Sequence, residues 1–346
     1  QLGGNASDQG KALAIGEDGA IYICGGTSAT IADEHKSAGK SDAFIAKVSA
    51  DGEIEWSVQV GTTADDQAEA IWIDGDKLFV AGVTGGSLYG DYVDHSKGCT
   101  CGLFNIWVAR FDLEGNEVWS DQLGIPNNMS LKGVATDADG NLYLCGGAWT
   151  SLPGSEHLGK MDAYLVKYNA DGNRLWSKNL GRDDYDRPED LLIAEDGTLI
   201  IVGRTASSWD ADNPIAKDDP GDLFIAAFDS DGEELWARQY GSTGYETPLG
   251  AALDPLTGDI YVSGFSNRDL AGEYQGGGTD GFLIALDAEG NWLWADAIAT
   301  PAWEQAMDMA LTADGNILVT AVGDAPFDEP ATGAGGLAIL EYTPDG

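Results

Sequence analysis

All three histidines of this chain of 346 residues follow an acid, in Glu34-His35, Asp94-His95 and Glu156-His157. Imidazole beside carboxylate is a donor set for zinc or another transition metal, so His35, His95 and His157 are the candidate metal ligands. The opposing reading is local: the three dipeptides recur at corresponding places of a long repeat, where each histidine satisfies a hydrogen bond of its own loop. A second constellation is carboxylic. Asp8, Asp66, Asp186, Glu246 and Glu304 each stand immediately before a small-residue apolar run, with Met129 in that place in one further copy. Gln9, Gln67, Arg187 and Gln305 follow them, and Tyr185, Tyr245 and Trp303 precede three of them. Carboxylates gathered at one mouth focus a negative field suited to a divalent cation such as calcium or to a polyhydroxylated ligand. Aromatic residues beside acids and amides also resemble a sugar-binding surface in composition, and Trp149, Trp209, Tyr89 and Tyr92 add to it. The candidate ligand-binding set is therefore Asp8, Asp66, Asp186, Arg187, Tyr245, Glu246, Trp303, Glu304, Trp149 and Trp209, against the alternative of a merely solvated rim.

The elements that must position these groups are read from a repeated phrase. Asp51-Gly52, Glu114-Gly115, Asp171-Gly172, Asp231-Gly232 and Glu289-Gly290 are each followed four residues later by Trp56, Trp119, Trp176, Trp236 or Trp294, which fall 57 to 63 residues apart. That period is close to one blade of four strands in a β-propeller. The second copy predicts strands at 68–73, 77–82, 105–111 and 117–123, short runs rich in β-branched and aromatic residues and bounded by Asp, Gly and Asn. Turns such as Asp74-Gly75 and Asp139-Gly140 supply the positive φ of tight hairpins. Their acids lack the alternating ligands of a calcium loop, and the tryptophans are expected to pack in the seams between blades.

The second-strand phrase occurs six times, at 21–25, 78–82, 142–146, 199–203, 260–264 and 317–321. The reading is all-β: a single six-bladed β-propeller of four-stranded antiparallel blades at about 8–61, 62–124, 125–181, 182–241, 242–300, and 301–346 with 1–7. Gln1-Leu2-Gly3 matches the strand ending Gln122-Leu123-Gly124, so the ring is expected to close through the N-terminal strand and avoid a bare sheet edge; seven blades, one of them outside this sequence, is the alternative. The segments joining second to third strands are long, about 27–41, 84–104, 148–161, 204–221, 265–279 and 323–335. Hairpins need two to five residues, so any site is expected on that face.

Composition limits the partners. Eighteen Lys and Arg against 58 Asp and Glu give a formal charge of −40, which repels phosphate backbones and anionic lipid heads; nucleic acid is not an expected partner. No apolar run reaches the roughly 20 residues of a membrane helix. Four cysteines are too few for a disulfide scaffold: Cys24 and Cys145 read as small buried residues, and Cys99-Thr100-Cys101 as a local disulfide, a metal site or reduced thiols.

Phrases such as Asp42-Ala43-Phe44-Ile45-Ala46-Lys47, Asp162-Ala163-Tyr164-Leu165-Val166-Lys167 and Asp222-Leu223-Phe224-Ile225-Ala226, each followed by an Asp-Gly turn and tryptophan, resemble the bacterial β-propeller repeats called SBBP. The resemblance implies a propeller of a secreted or cell-surface bacterial protein and supplies no catalytic motif. Sialidase-type chemistry needs an arginine cluster, yet the arginines do not recur at one blade position. Quinoprotein repeats use adjacent cysteines, and here Thr100 intervenes. No Gly-x-Ser-x-Gly elbow or His-Glu-x-x-His helix is present. The expected function is an extracellular or surface binding module, or a periplasmic one, with a glycan or protein ligand. The alternatives are a propeller hydrolase or quinoprotein-like enzyme with its site at the acidic mouth, and a structural subunit of a surface assembly.

Overall fold

A computed structural model describes all residues except 1, 2, 4, 5, 32–38, 91–103, 126, 211–220, 271–277 and 325–335. The chain divides into two compact units, one of residues 1–157 and 161–180 and one of 158–160 and 181–346. Among the described residues every regular element is a strand.

The first unit holds three sheets of four strands in chain order: β1 (Asp8–Ile15), β2 (Ile21–Thr27), β3 (Asp42–Val48) and β4 (Ile54–Val60); β5 (Asp66–Asp74), β6 (Lys77–Thr84), β7 (Asn105–Asp112) and β8 (Glu117–Leu123); β9 (Met129–Thr136), β10 (Leu142–Ala148), β11 (Asp162–Tyr168) and β12 (Arg174–Asn179). The second unit holds β13 (Asp186–Ile193), β14 (Leu199–Thr205), β15 (Asp222–Phe228) and β16 (Glu234–Tyr240); β17 (Glu246–Leu253), β18 (Ile260–Ser266), β19 (Asp280–Leu286) and β20 (Trp292–Ile298); and a sheet of three described strands, β21 (Glu304–Leu311), β22 (Ile317–Gly323) and β23 (Gly336–Tyr342). Every neighbouring pair is antiparallel, as expected of meanders joined by short turns on one side.

Side-chain alternation divides each middle strand between two seams. Phe79 and Ala81 of β6 pack with Leu142, Leu144, Tyr164 and Val166 of the next sheet, whereas Leu78 and Val80 pack with Tyr22, Cys24 and Ile45 of the preceding one. The second unit repeats this arrangement, with Ile225 and Ile284 in one seam and Leu283 with Val319 in another. Middle strands covered on both faces carry apolar residues on both, which is why β10, β11, β15 and β19 show no polar alternation beyond the aspartate that opens three of them. Each fully buried Leu, Ile or Phe contributes about 1.5 to 3 kcal/mol of apolar burial. Cys24 and Cys145 are buried, as expected.

Trp56, Trp119, Trp236 and Trp294 sit in the seams, and the glycine of the phrase receives them. A β-carbon on Gly115 would lie 3.0 Å from the Trp56 indole, and one on Gly172 2.5 Å from Trp119. Gly290 stands in the same relation to Trp236, and Gly346 to Trp294. The indole N–H of Trp56 donates to the Leu113 carbonyl at 3.1 Å, that of Trp119 to Ala170 at 3.3 Å, and that of Trp294 to Pro344 at 2.8 Å. Each glycine thus serves twice: its φ, 86° at Gly115 and 85° at Gly172, closes the hairpin, and its missing side chain admits the ring from the copy before. Gly52 has the same conformation, φ 87°, and open space around its α-carbon.

Candidate functional site

The carboxylates expected at an open mouth are inside the sheets. Asp66, Asp186, Glu246 and Glu304 are all fully buried, and Asp8 is half-buried. Each begins the first strand of its sheet, and in four sheets register sets it opposite a hydroxyl at the end of the second strand: Asp8 with Thr27, Asp66 with Thr84, Asp186 with Thr205, Glu246 with Ser266. Thr27 donates to Asp8 at 2.5 Å, Thr205 to Asp186 at 2.6 Å, Ser266 to Glu246 at 2.9 Å, and Thr84 donates to Asp66. The second carboxylate oxygen ties down the loop four residues upstream. Asp66 accepts from the Thr62 amide at 2.5 Å, Asp186 from the Arg182 amide at 2.5 Å, and Glu304 from the Thr300 amide at 2.8 Å. At Glu246 one oxygen does both: Ser242 donates its hydroxyl at 2.5 Å to the Oε1 that also accepts from Ser266. Burial raises the pKa of Asp66 and of Glu246 above the ordinary carboxylate range, and the hydroxyl and amide donors oppose it. These groups clamp sheet-to-sheet loops.

The third sheet has no such clamp. Met129 occupies the acid position, Ala148 the hydroxyl position and Ile125 the upstream position, and all three are buried in one apolar cluster. The loop there is held by apolar contact instead.

A second polar set, which sequence reasoning missed, anchors the long loops. Gln59 of β4 donates to Asp42 of β3 at 2.9 Å while its carbonyl oxygen accepts the Ile31 amide at 3.0 Å. Asn179 joins Asp162 at 3.1 Å to the Leu152 amide at 2.8 Å, and Gln239 joins Asp222 at 2.7 Å to the Trp209 amide at 2.9 Å. The signal available in the sequence was the amide two residues before Gly61, Gly124, Gly181 and Gly241, at the end of four of the fourth strands.

Of the candidate metal ligands, His35 and His95 lie outside the described residues, as do Cys99 and Cys101. His157 Nδ1 is 2.8 Å from Oδ2 of the fully buried Asp162. Among the described residues no group of three His, Cys, Asp or Glu is disposed to hold a metal ion.

The aromatic candidates divide. Trp209 is buried: its indole donates to Asp186 at 2.7 Å, stacks on Phe224 at 4.5 Å, and carries the Arg182 guanidinium 4.3 Å from its ring. It completes the Asp186 clamp and offers no open platform. Trp149 remains 38% exposed in the first unit, and Trp303 is half-buried in the second.

What the second unit does expose is cationic and aromatic. Tyr185 is 40% exposed, with Lys160 Nζ 5.0 Å from its ring centre. Two residues on, and so on the same side of β13, Arg187 stands directly opposite Arg204 of β14. The same two positions elsewhere hold Gln9 and Gly26, Gln67 and Val83, Ser130 and Gly147, Thr247 and Phe265, Gln305 and Val322. Arg187 Nε contacts Glu189 Oε1 at 2.6 Å, and its side chain is 56% exposed. The Arg204 guanidinium lies 5.6 Å from the ring centre of Tyr245 in the next sheet, and Tyr245 meets Phe265 edge-on at 6.1 Å. Gly221 borders the same guanidinium: a β-carbon there would fall 2.7 Å from Arg204 Nε. On the opposite, tight-turn side of this unit a cavity of about 520 Å³ has a floor of Leu235, Trp236 and Leu253 and a rim that includes Glu195 and Asp196.

The comparisons with known proteins point to one architecture. The chain is 28% identical over 191 residues to the regulatory protein FlaEY of Caulobacter vibrioides, an alignment covering 51% of this chain and 20% of that protein. It is 22% identical over 113 residues to the uncharacterized WD repeat-containing protein L264 of Acanthamoeba polyphaga mimivirus, covering 30% and 8% of the respective chains. It therefore spans a fifth or less of the length of these relatives. Among solved structures, an ulvan lyase of polysaccharide lyase family PL25 superposes with a TM-score of 0.59 at 12% identity, covering all of this chain and 84% of the other. The WD40 domain of Neurospora crassa Pan2 gives 0.50 at 11% identity over 90% and 75%. Both likenesses are of fold, and the fold is the β-propeller. Residues 105–324, well over half of the sequence, match the family described as outer membrane protein assembly factor BamB, and the chain belongs to that β-propeller repeat family.

Proposed function

We propose that this chain is a binding module of the cell envelope or cell surface, with a glycan or protein ligand held on the face that carries its long loops. The observation that carries this reading is the exposed side of β13 and its surroundings, where Tyr185, Arg187, Arg204 and Tyr245 form an aromatic and cationic surface. The repeated carboxylates of the same face are consumed in loop clamps, so the second unit's rim is distinguished by what only the β13–β14 pair presents. The family's namesake is an outer-membrane assembly factor, which supports an envelope location and an interaction role, and the regulatory relative supports an interaction role. A propeller lyase that holds an acidic saccharide supports a glycan as the ligand. The test is a glycan array and an envelope-protein binding screen with the whole chain and with Tyr185→Ala and Tyr245→Ala. Specific binding lost in either variant supports the reading; binding unchanged in both moves the site elsewhere.

We further propose that the six sheets are six blades of one propeller ring. Two bare apolar stretches support this: Leu13 and Ile15 of β1 are 62% and 66% exposed, and Leu337 and Ile339 of β23 are 76% and 70% exposed.

A further inference from the structure

The seam between the fourth and fifth sheets is built differently from its neighbours. In three seams the indole N–H donates to the carbonyl two residues before the receiving glycine: Trp56 to Leu113, Trp119 to Ala170 and Trp294 to Pro344. Trp236 does not make this bond. A β-carbon on Gly115, Gly172 or Gly346 would lie nearest Cδ2 of its indole, where the two rings fuse; one on Gly290 would lie nearest Cζ3 and Cη2, the far rim of the six-membered ring. The Arg238 stem shares the place, its Cγ 3.1 Å from that β-carbon, and its guanidinium lies 5.7 Å from the indole centre. The Trp236 indole is thus turned in its seam. Among the described residues neither its N–H nor the carbonyl of Ala288, two residues before Gly290, is hydrogen-bonded. Trp236 and Ala288 both line the cavity of about 520 Å³ on the tight-turn side.

The rest of the lining says what fits. The turn from β17 to β18 closes between Asp254 and Asp259, one residue longer than the turns closed from Gly16 to Ala20, Ala194 to Thr198 and Thr312 to Asn316. It carries Leu256, which lines the cavity and is 92% exposed. Among the rim acids, Asp196 and Asp254 accept amides of their own turns. The carboxylates of Glu195 and Glu289 are exposed and in no ion pair among the described residues, and no Lys, Arg or His lines the cavity. Apolar surface ringed by uncompensated negative charge is complementary to an apolar group carried between cations. A peptide group supplies both an acceptor for an indole N–H and a donor for a carbonyl. A second copy of the chain, with its own charge of −40, is repelled. We infer that this seam docks a short basic segment of a partner protein: one apolar side chain enters against Trp236 and Leu256, and lysines or arginines on either side of it face Glu195 and Glu289. The site lies on the side opposite the long loops and does not depend on what those loops bind.

The experiment is calorimetric titration of the whole chain with three capped tripeptides, lysyl-leucyl-lysine, glutamyl-leucyl-glutamate and lysyl-seryl-lysine, beside NMR of the tryptophan indole N–H groups. The Trp236 signal is the one absent from the spectrum of Trp236→Phe. The expected result is saturable binding of lysyl-leucyl-lysine alone, with a shift of that signal. Binding should weaken about fivefold in the double variant Glu195→Gln, Glu289→Gln, which removes two exposed ion pairs. It should weaken about tenfold in Leu256→Ser, which removes one apolar contact at a position that is bare in the free chain. Trp236→Phe should lose less of its urea midpoint than Trp119→Phe, which breaks the bond to Ala170 and leaves peptide binding unchanged. No saturable binding, an unmoved Trp236 signal, or binding unchanged in the rim variant or in Leu256→Ser overturns the inference. So does equal binding of the glutamyl peptide, which removes the acidic rim from the account, or of lysyl-seryl-lysine, which leaves surface charge alone. Equal midpoint losses at Trp236 and Trp119 would close the seam again and overturn it. Self-association of the chain that Leu256→Ser abolishes makes a second copy the occupant and overturns it as well.

Discussion

Met129 faces Ala148 across β9 and β10 at the register position where Asp66 faces Thr84 across β5 and β6. The exchange is concerted: Ile125 replaces the upstream loop group at the same time, and all three apolar residues are buried together. A carboxylate clamp and an apolar plug therefore do one job, fixing the loop that enters the first strand. Each is internally consistent, and a mixture of the two is not.

Half-exchanges are accordingly expected to fail. Met129→Asp places a carboxylate where no hydroxyl or amide is arranged to meet it, and should cost about 3 kcal/mol or more. The triple change Ile125→Thr, Met129→Asp and Ala148→Thr should recover much of that loss. Urea unfolding of the single and triple variants checks this; a triple variant no more stable than the single one would count against the clamp.

The seam glycines separate two costs. Gly52→Ala meets only the positive φ of the turn, since nothing lies within 4 Å, and should cost about 1 kcal/mol. Gly115→Ala has the same φ and also meets the Trp56 indole at 3.0 Å, and should cost about 1 to 3 kcal/mol more. Parallel urea titrations with tryptophan fluorescence measure the difference, and equal losses would remove the indole from the account.

Stability should depend on pH through Asp190. Desolvation, helped by Asp308 and Glu189, pushes its carboxyl up to about 7, although amides of Leu191 and Ala251 donate to it. A raised carboxyl binds its proton more tightly folded than unfolded, so this contribution favours the folded state at low pH. It is lost as pH rises from about 4 through 7. Asp190→Asn removes the titration, and the variant's urea midpoint should gain on the parent's across that interval and run parallel above it. A constant gap from pH 4 to 8 would assign the effect to packing.

Ring closure makes a prediction about exchange. If a fourth strand covers β23, amides of residues 336–342 should be protected from hydrogen exchange to the degree seen for β19, residues 280–286. Rapid exchange along β23 beside slow exchange in β22 would leave that edge open. Iodoacetamide labelling of Leu337→Cys reports the adjoining apolar face in the same way.

Strand positions were legible because glycine and aspartate punctuate them: the second copy reads as 77–82 and 117–123 and folds as Lys77–Thr84 and Glu117–Leu123. The tryptophan seams were legible too, since a large ring on an outer strand has few other places to go. The direction of Asp66 or Glu246 was not. Period-two alternation says which face a side chain takes, and burial of that end depends on a hydroxyl some twenty residues later and on a loop folding over it. Trp209 misled for the same reason, its exposure being decided by Asp186 across the loop. The arginine pair was invisible because Arg187 and Arg204 hold different positions in the repeat and meet only through hairpin register.

A tryptophan and the glycine that receives it belong to different copies of one phrase. A stretch of gene one repeat long therefore carries a donor for the copy after it and a receptor for the copy before it. Unequal recombination can add or remove such a stretch and leave every seam matched, with no compensating substitution at the join. Copy number can thus change by whole units, while residues particular to one copy, such as Arg187 and Arg204 in the fourth sheet, can diverge without disturbing how neighbouring sheets fit.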